Sequence, residues 1–95
     1  LAIAYKAYKL SLGGKPAPVI DGLSGDQRFY LGWAQIWRSK EREAETIRRL
    51  TVDPHSPPAV RGNGSLVNQA GFYEAFSVKE GDKMYVAPDA RVSIW

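Results

Sequence analysis

Residues 24–38 read SGDQRFYLGWAQIWR. Ser24 and Gln27 stand at capping-box spacing, where each side chain can satisfy a backbone amide at the start of a helix. From there Tyr30, Trp33, Ala34 and Trp37 recur at steps of three and four, so one helical face is strongly aromatic down to about Arg38. An aromatic stripe at helical spacing is usually core, and it makes this stretch the firmest helix of a chain that reads as mainly α.

The flanking segments agree. Leu1, Ala4, Tyr5, Tyr8 and Leu12 form a stripe at helical spacing with Lys6 and Lys9 off it, and Gly13-Gly14 ends that helix. Lys15 to Leu23 carries Pro16, Pro18 and Gly22 and reads as a loop. Beyond the polar run Ser39 to Arg42, a short helix is expected through Ala44, Ile47 and Leu50. Its outward set of Glu41, Glu43, Glu45, Arg48 and Arg49 mixes both signs and reads as a solvated surface. Pro54, Pro57 and Pro58 exclude a regular helix over residues 53–58, and Gly62 with Gly64 reads as a second break or turn. Asn68 is placed as the N-cap of a helix that buries Phe72, Tyr73 and Phe76. The tail is turn-rich, with an extended piece at Val92 to Trp95. The expectation is about four helices joined by Pro/Gly-rich loops, with little or no sheet.

Composition narrows the function. Ninety-five residues make one modest core, and 44% hydrophobic with 24% charged residues is the balance of a folded chain, not a disordered one. No uncharged apolar run approaches the roughly 20 residues of a membrane span, and Lys6 and Lys9 interrupt the first apolar run too early for a signal peptide. The chain starts at Leu1, inside an apolar pattern and without methionine, which reads as a cut through a larger protein. The absence of cysteine excludes disulfides, thiolate metal sites and a cysteine nucleophile, and a single histidine excludes an all-histidine metal site. Thirteen basic against ten acidic residues give +3, too weak to demand an anionic partner.

The unusual stretch is DPHSPPAVR, residues 53–61. Three prolines leave this loop little entropy to lose, which suits accurate presentation of a side chain. His55 can donate a hydrogen bond and change charge near neutral pH, and Arg61 offers a fork matched to a carbonyl or carboxylate oxygen. Together they can stabilise a developing oxyanion; the competing account is a surface loop with a capping histidine and a salt-bridged arginine. Asp53, His55 and Ser56 match a hydrolase triad in composition, yet residues this close on a stiff loop do not normally converge in that order. Gly62-Asn63-Gly64 lacks the strand and helix of a phosphate-binding loop. Tyr30, Trp33 and Trp37 have faces on which bases can stack, but at this spacing they suit a core better. Lys6, Lys9, Arg38, Lys40, Arg48 and Arg49 are diluted as a basic patch by Glu41, Glu43 and Glu45.

Taken together, LAIAYKAY (1–8), FYLGWAQIW (29–37), DPHSPPAVR (53–61), GSLVN (64–68), FYEAF (72–76) and the terminal Trp95 resemble the C-terminal end of the neprilysin-type zinc endopeptidases, a family that includes endothelin-converting enzyme and bacterial oligopeptidases. The resemblance covers essentially the whole chain. It implies that residues 1–95 are the C-terminal part of a thermolysin-like catalytic module acting on peptides with a large apolar residue after the scissile bond. It also implies a Zn2+ cofactor held by HExxH and ExxxD motifs. This chain carries neither motif, so no zinc ligand is expected within it. By the same resemblance His55 matches the histidine that donates to the tetrahedral oxyanion, and Arg61 the arginine that binds the substrate carbonyl. Ile36 and Trp37 match residues lining the S1′ pocket, Trp37 serving equally well as core.

The partners implied are peptide substrates and the remainder of the chain's own catalytic domain, with no nucleic acid and no membrane span in this segment. By the same resemblance, Arg38, Val78 and Val92 stand where vertebrate members carry cysteines, which favours a bacterial origin. The sequence does not fix the compartment; a bacterial envelope, periplasmic or secreted location is favoured over the cytoplasm. Two rival readings remain at this stage: a non-catalytic helical interaction module binding through the aromatic face, and a small basic nucleic-acid binder. An isolated piece of this kind is expected to be inactive.

Overall fold

The Ser24 capping box forms as the sequence predicts. In the computed structural model, which describes residues 1–94, the Gln27 amide donates to Ser24 Oγ at 3.1 Å and the Ser24 amide to Gln27 Oε1 at 2.9 Å. It opens α2 (Gly25–Ile36), the helix on which α4 (Pro58–Leu66) and α5 (Ala70–Phe76) pack. Before it comes α1 (Ala2–Ser11), after which Gly13 and Gly14 take positive φ. α3 (Glu43–Val52) lies between α2 and α4, and a single 3-10 turn (Pro88–Ala90) follows α5. No strand occurs among the described residues; the chain is mainly α, as expected.

The core is small and aromatic. Tyr30, at 1% exposure, sits beneath Tyr5 of α1 and meets Phe72 of α5 edge-on, with ring centroids 5.1 and 6.0 Å away. Leu66, Phe72 and Tyr73 complete the buried set. Burial, with Tyr5 beside it, pushes the Tyr30 phenol above its ordinary range. A ring so enclosed cannot stack on a partner, so the centre of the aromatic face is core. The radius of gyration is 15.4 Å, against about 12 Å for a compact domain of this length. Much apolar surface stays open, including Ile3, Leu10, Val60 and Ile94.

Two expectations need correction. Gly62 and Gly64 do not break the chain but lie inside α4, a fifth helix that the glycine count concealed. Pro58 occupies the first turn of α4, where its missing amide costs nothing. Gly62 then lets the helix close on Trp37, whose Cβ would lie 3.2 Å from an added Cβ, and its carbonyl accepts from Trp33 Nε1 at 3.3 Å. That contact offsets the ~1 kcal/mol glycine costs in a helix. Nor is Asn68 an N-cap: Gln69 holds that position. Asn68 instead donates to the Gly64 carbonyl and accepts from the Val92 amide at 2.7 Å, tying the C-terminal segment to α4. Residues 92–94 form no strand, and Trp95 lies outside the described residues.

Candidate functional site

The Pro-rich loop after α3 folds around one carboxylate. Asp53 caps α3 in an extended conformation, and its Oδ1 accepts from the backbone amide of His55 at 2.9 Å, closing a local turn from residue i to i+2. The same oxygen lies 2.8 Å from His55 Nδ1. An ionised carboxylate only accepts, so Nδ1 is the donor. These two bonds, backbone first and ring second, hold the Asp53 carboxyl below the usual carboxylate range.

Three prolines limit the loop's alternatives, and Pro57 and Pro58 lead directly into α4, which delivers Arg61 one turn later. The Arg61 guanidinium stacks on the Trp37 ring at 4.3 Å from its centroid. Trp37 in turn meets Trp33 edge-on at 5.6 Å and keeps its indole N–H buried without an acceptor. Trp37, Asp53, His55 and Arg61 line one cavity of about 150 Å³, together with Glu41 and Arg49.

The fold thus brings together three of the four residues singled out from the sequence. His55 is 63% exposed at the cavity mouth, where its ring can meet a ligand. Ile36 is not among the lining residues; it ends α2 with 69% of its surface exposed. Arg61 has a cation–π partner and no ion pair among the described residues, so the salt-bridged account of it does not apply.

Three members of the site escaped the sequence reading. In the sequence Asp53 stands out only as part of a triad, although an aspartate that can accept from the amide two residues on is the signature of the local turn that forms. Glu41 and Arg49 read in sequence as part of a solvated face, yet Arg49 Nη1 donates to Glu41 and Nη2 lies 3.4 Å from Asp53 Oδ2. The i, i+4 spacing of Arg49 and Asp53 is the signal that finds this pair.

Chemically the arrangement is a hydrogen-bond donor of adjustable charge beside a fixed cation. A ring that gives Nδ1–H to Asp53 has a lone pair on Nε2 when neutral, and donates from Nε2 only when both nitrogens carry protons. The Asp53 carboxylate is the counter-charge for that doubly protonated form. No group of three or more His, Asp or Glu among the described residues lies close enough to hold a metal ion. No helix among them is long and apolar enough to cross a membrane.

Residues 1–92 match peptidase family M13, and the chain belongs to that family. It is similar to a zinc metalloprotease of Mycobacterium tuberculosis, Zmp1, solved in complex with an inhibitor: TM-score 0.94 and 61% identity, covering 98% of this chain and 14% of that one. Among curated relatives, neprilysin-1 of Caenorhabditis elegans is 41% identical over 97% of this chain and 12% of its own length. The neutral endopeptidase of Lactococcus lactis is 45% identical over 70% of this chain and 11% of its own. The chain therefore spans between 11 and 14% of the length of these relatives.

Proposed function

We propose that this chain is the C-terminal part of the catalytic domain of a zinc metalloendopeptidase, and that it supplies residues that bind the peptide and stabilise the transition state. The observation that carries the proposal is the Asp53–His55 pair at 2.8 Å, opening on the same cavity as Arg61 and Trp37. As the scissile carbonyl becomes tetrahedral, negative charge gathers on its oxygen, and a donor aimed there gains strength where the ground state gains little. His55, protonated on both nitrogens and anchored by Asp53, is that donor. Arg61 keeps its guanidinium over the Trp37 ring and offers its N–H groups to a backbone carbonyl of the substrate in ground and transition states alike.

Trp37 and the neighbouring, exposed Ile36 give apolar surface to a large side chain after the scissile bond, the substrate class this reading implies. The open apolar surface at Ile3, Leu10, Val60 and Ile94 suits cover by the rest of the same catalytic domain. Kinetics on single variants of the complete peptidase test the reading. His55→Ala should lower kcat by about a hundredfold or more with little change in KM. Arg61→Met should act mainly on KM. A His55→Ala enzyme with kcat near that of the parent would reduce the histidine to a loop residue.

A further inference from the structure

The Asp53 carboxylate divides its two oxygens. Oδ1 takes both donors of His55, at 2.9 and 2.8 Å, and Oδ2 faces Arg49 Nη2 at 3.4 Å. The other nitrogen of the Arg49 fork, Nη1, donates to Glu41 Oε1. Glu41 belongs to the α2–α3 connection, four residues after Trp37, so one guanidinium ties the cavity wall to the turn that carries His55. α3 itself buries no residue. Ion pairs, more than apolar packing, therefore set where its last turn and Asp53 stand.

We propose that Arg49 is a positioning residue for His55, acting through Asp53 and anchored by Glu41. It holds Oδ2 so that Oδ1 stays directed at the imidazole, and it places a permanent positive charge behind the carboxylate that pairs with the doubly protonated ring. The fork matters, because two nitrogens held apart in one rigid plane reach two different carboxylates, a spacing that a single ammonium nitrogen does not reproduce. The charged groups lining the cavity with His55 are Glu41 from the α2–α3 connection, Arg49 and Asp53 from α3, and Arg61 from α4; Trp37, Thr46, Leu50, Ser56, Pro57 and Pro58 complete it without charge. Removing Arg49 thus takes away at once the partner of Oδ2 and a permanent charge on the far side of the carboxylate from the ring.

The proposal rests on the role of His55 stated above, and its test keeps the two apart. In the complete peptidase, Arg49→Met should lower kcat about three- to tenfold with KM little changed. It should also displace the alkaline limb of the kcat–pH profile by about half a pH unit, the size expected of a partly exposed pair. Arg49→Lys, which keeps the charge without the fork, should return the limb to its original pH while recovering kcat only in part. Arg49 is 41% exposed, so neither change opens a core cavity. Arg49→Met with an unmoved limb, whatever its kcat, overturns the proposal, as does a limb displaced equally in the methionine and lysine variants. His55→Ala measured alongside separates the failures: if it lowers kcat while Arg49→Met leaves the limb in place, only the Arg49 proposal falls. If it leaves kcat intact, the underlying reading falls as well.

Discussion

Replacing Tyr73 with phenylalanine removes a single oxygen that anchors the C-terminal segment to the core. The Tyr73 hydroxyl donates to the Val67 carbonyl at 2.9 Å and accepts from the Val86 amide at 3.0 Å, and the residue is 8% exposed. Phenylalanine keeps the ring, its contact with Phe72 and the Arg91 guanidinium 3.5 Å from the ring centroid. The loss is therefore confined to two hydrogen bonds. A buried amide left without a partner costs about 1–3 kcal/mol, and the carbonyl, with a second lone pair, costs less. The expected sum is about 2 kcal/mol. For a chain of this length each kcal/mol shifts the melting midpoint by about 4–8 °C, so Tyr73→Phe should melt about 10 °C lower by circular dichroism. A fall of less than about 3 °C, corresponding to roughly 0.5 kcal/mol, would refute the hydroxyl's place as the anchor of residues 84–92.

Two further outcomes follow from the packing and the loop. Gly71→Ala would put a methyl group 2.6 Å from Tyr30 Oη and 2.7 Å from Tyr5 Cε1. With Tyr30 enclosed on all sides, overpacking should cost about 1–3 kcal/mol, and a urea midpoint at or above that of the parent would contradict the packing described. Because the Asp53 carboxyl is held below its ordinary range in the fold, its bonds contribute stability at neutral pH that is lost as pH falls below about 4. The melting difference between the parent and Asp53→Asn should accordingly be present at pH 7 and 5 and shrink at pH 3, whereas a difference that grows on acidification would reverse the sign argued here.

What was legible in the sequence was whatever depends on short-range pattern. The capping box at Ser24 and the aromatic period of α2 are local, and both appear where expected. The same local logic misread α4, because a glycine counts as a helix breaker until its neighbour is known, and the neighbour of Gly62 is Trp37, 25 positions earlier. Asn68 has the side chain of an N-cap, but the partner that claims it is the Val92 amide, 24 residues on. In the site, His55, Arg61 and Trp37 were visible as residue types matching a family pattern. Their convergence on one cavity depends on α2 and α4 packing together, which no local pattern encodes. Glu41 and Arg49 read as one more mixed-charge surface, since nothing in composition distinguishes a solvated ion pair from one leaning on the Asp53–His55 turn.

In the proposed role, His55 meets charge that exists in the transition state and not in the substrate. A phosphinic peptide, whose tetrahedral P–O⁻ stands in for the oxyanion, measures this directly when its inhibition constant is compared with the substrate KM in the complete peptidase and its His55→Ala variant. The phosphinic peptide should lose about a hundredfold or more in affinity, in step with kcat/KM, while KM for the matching substrate stays within about twofold. Equal losses for both ligands, or none for either, would contradict it.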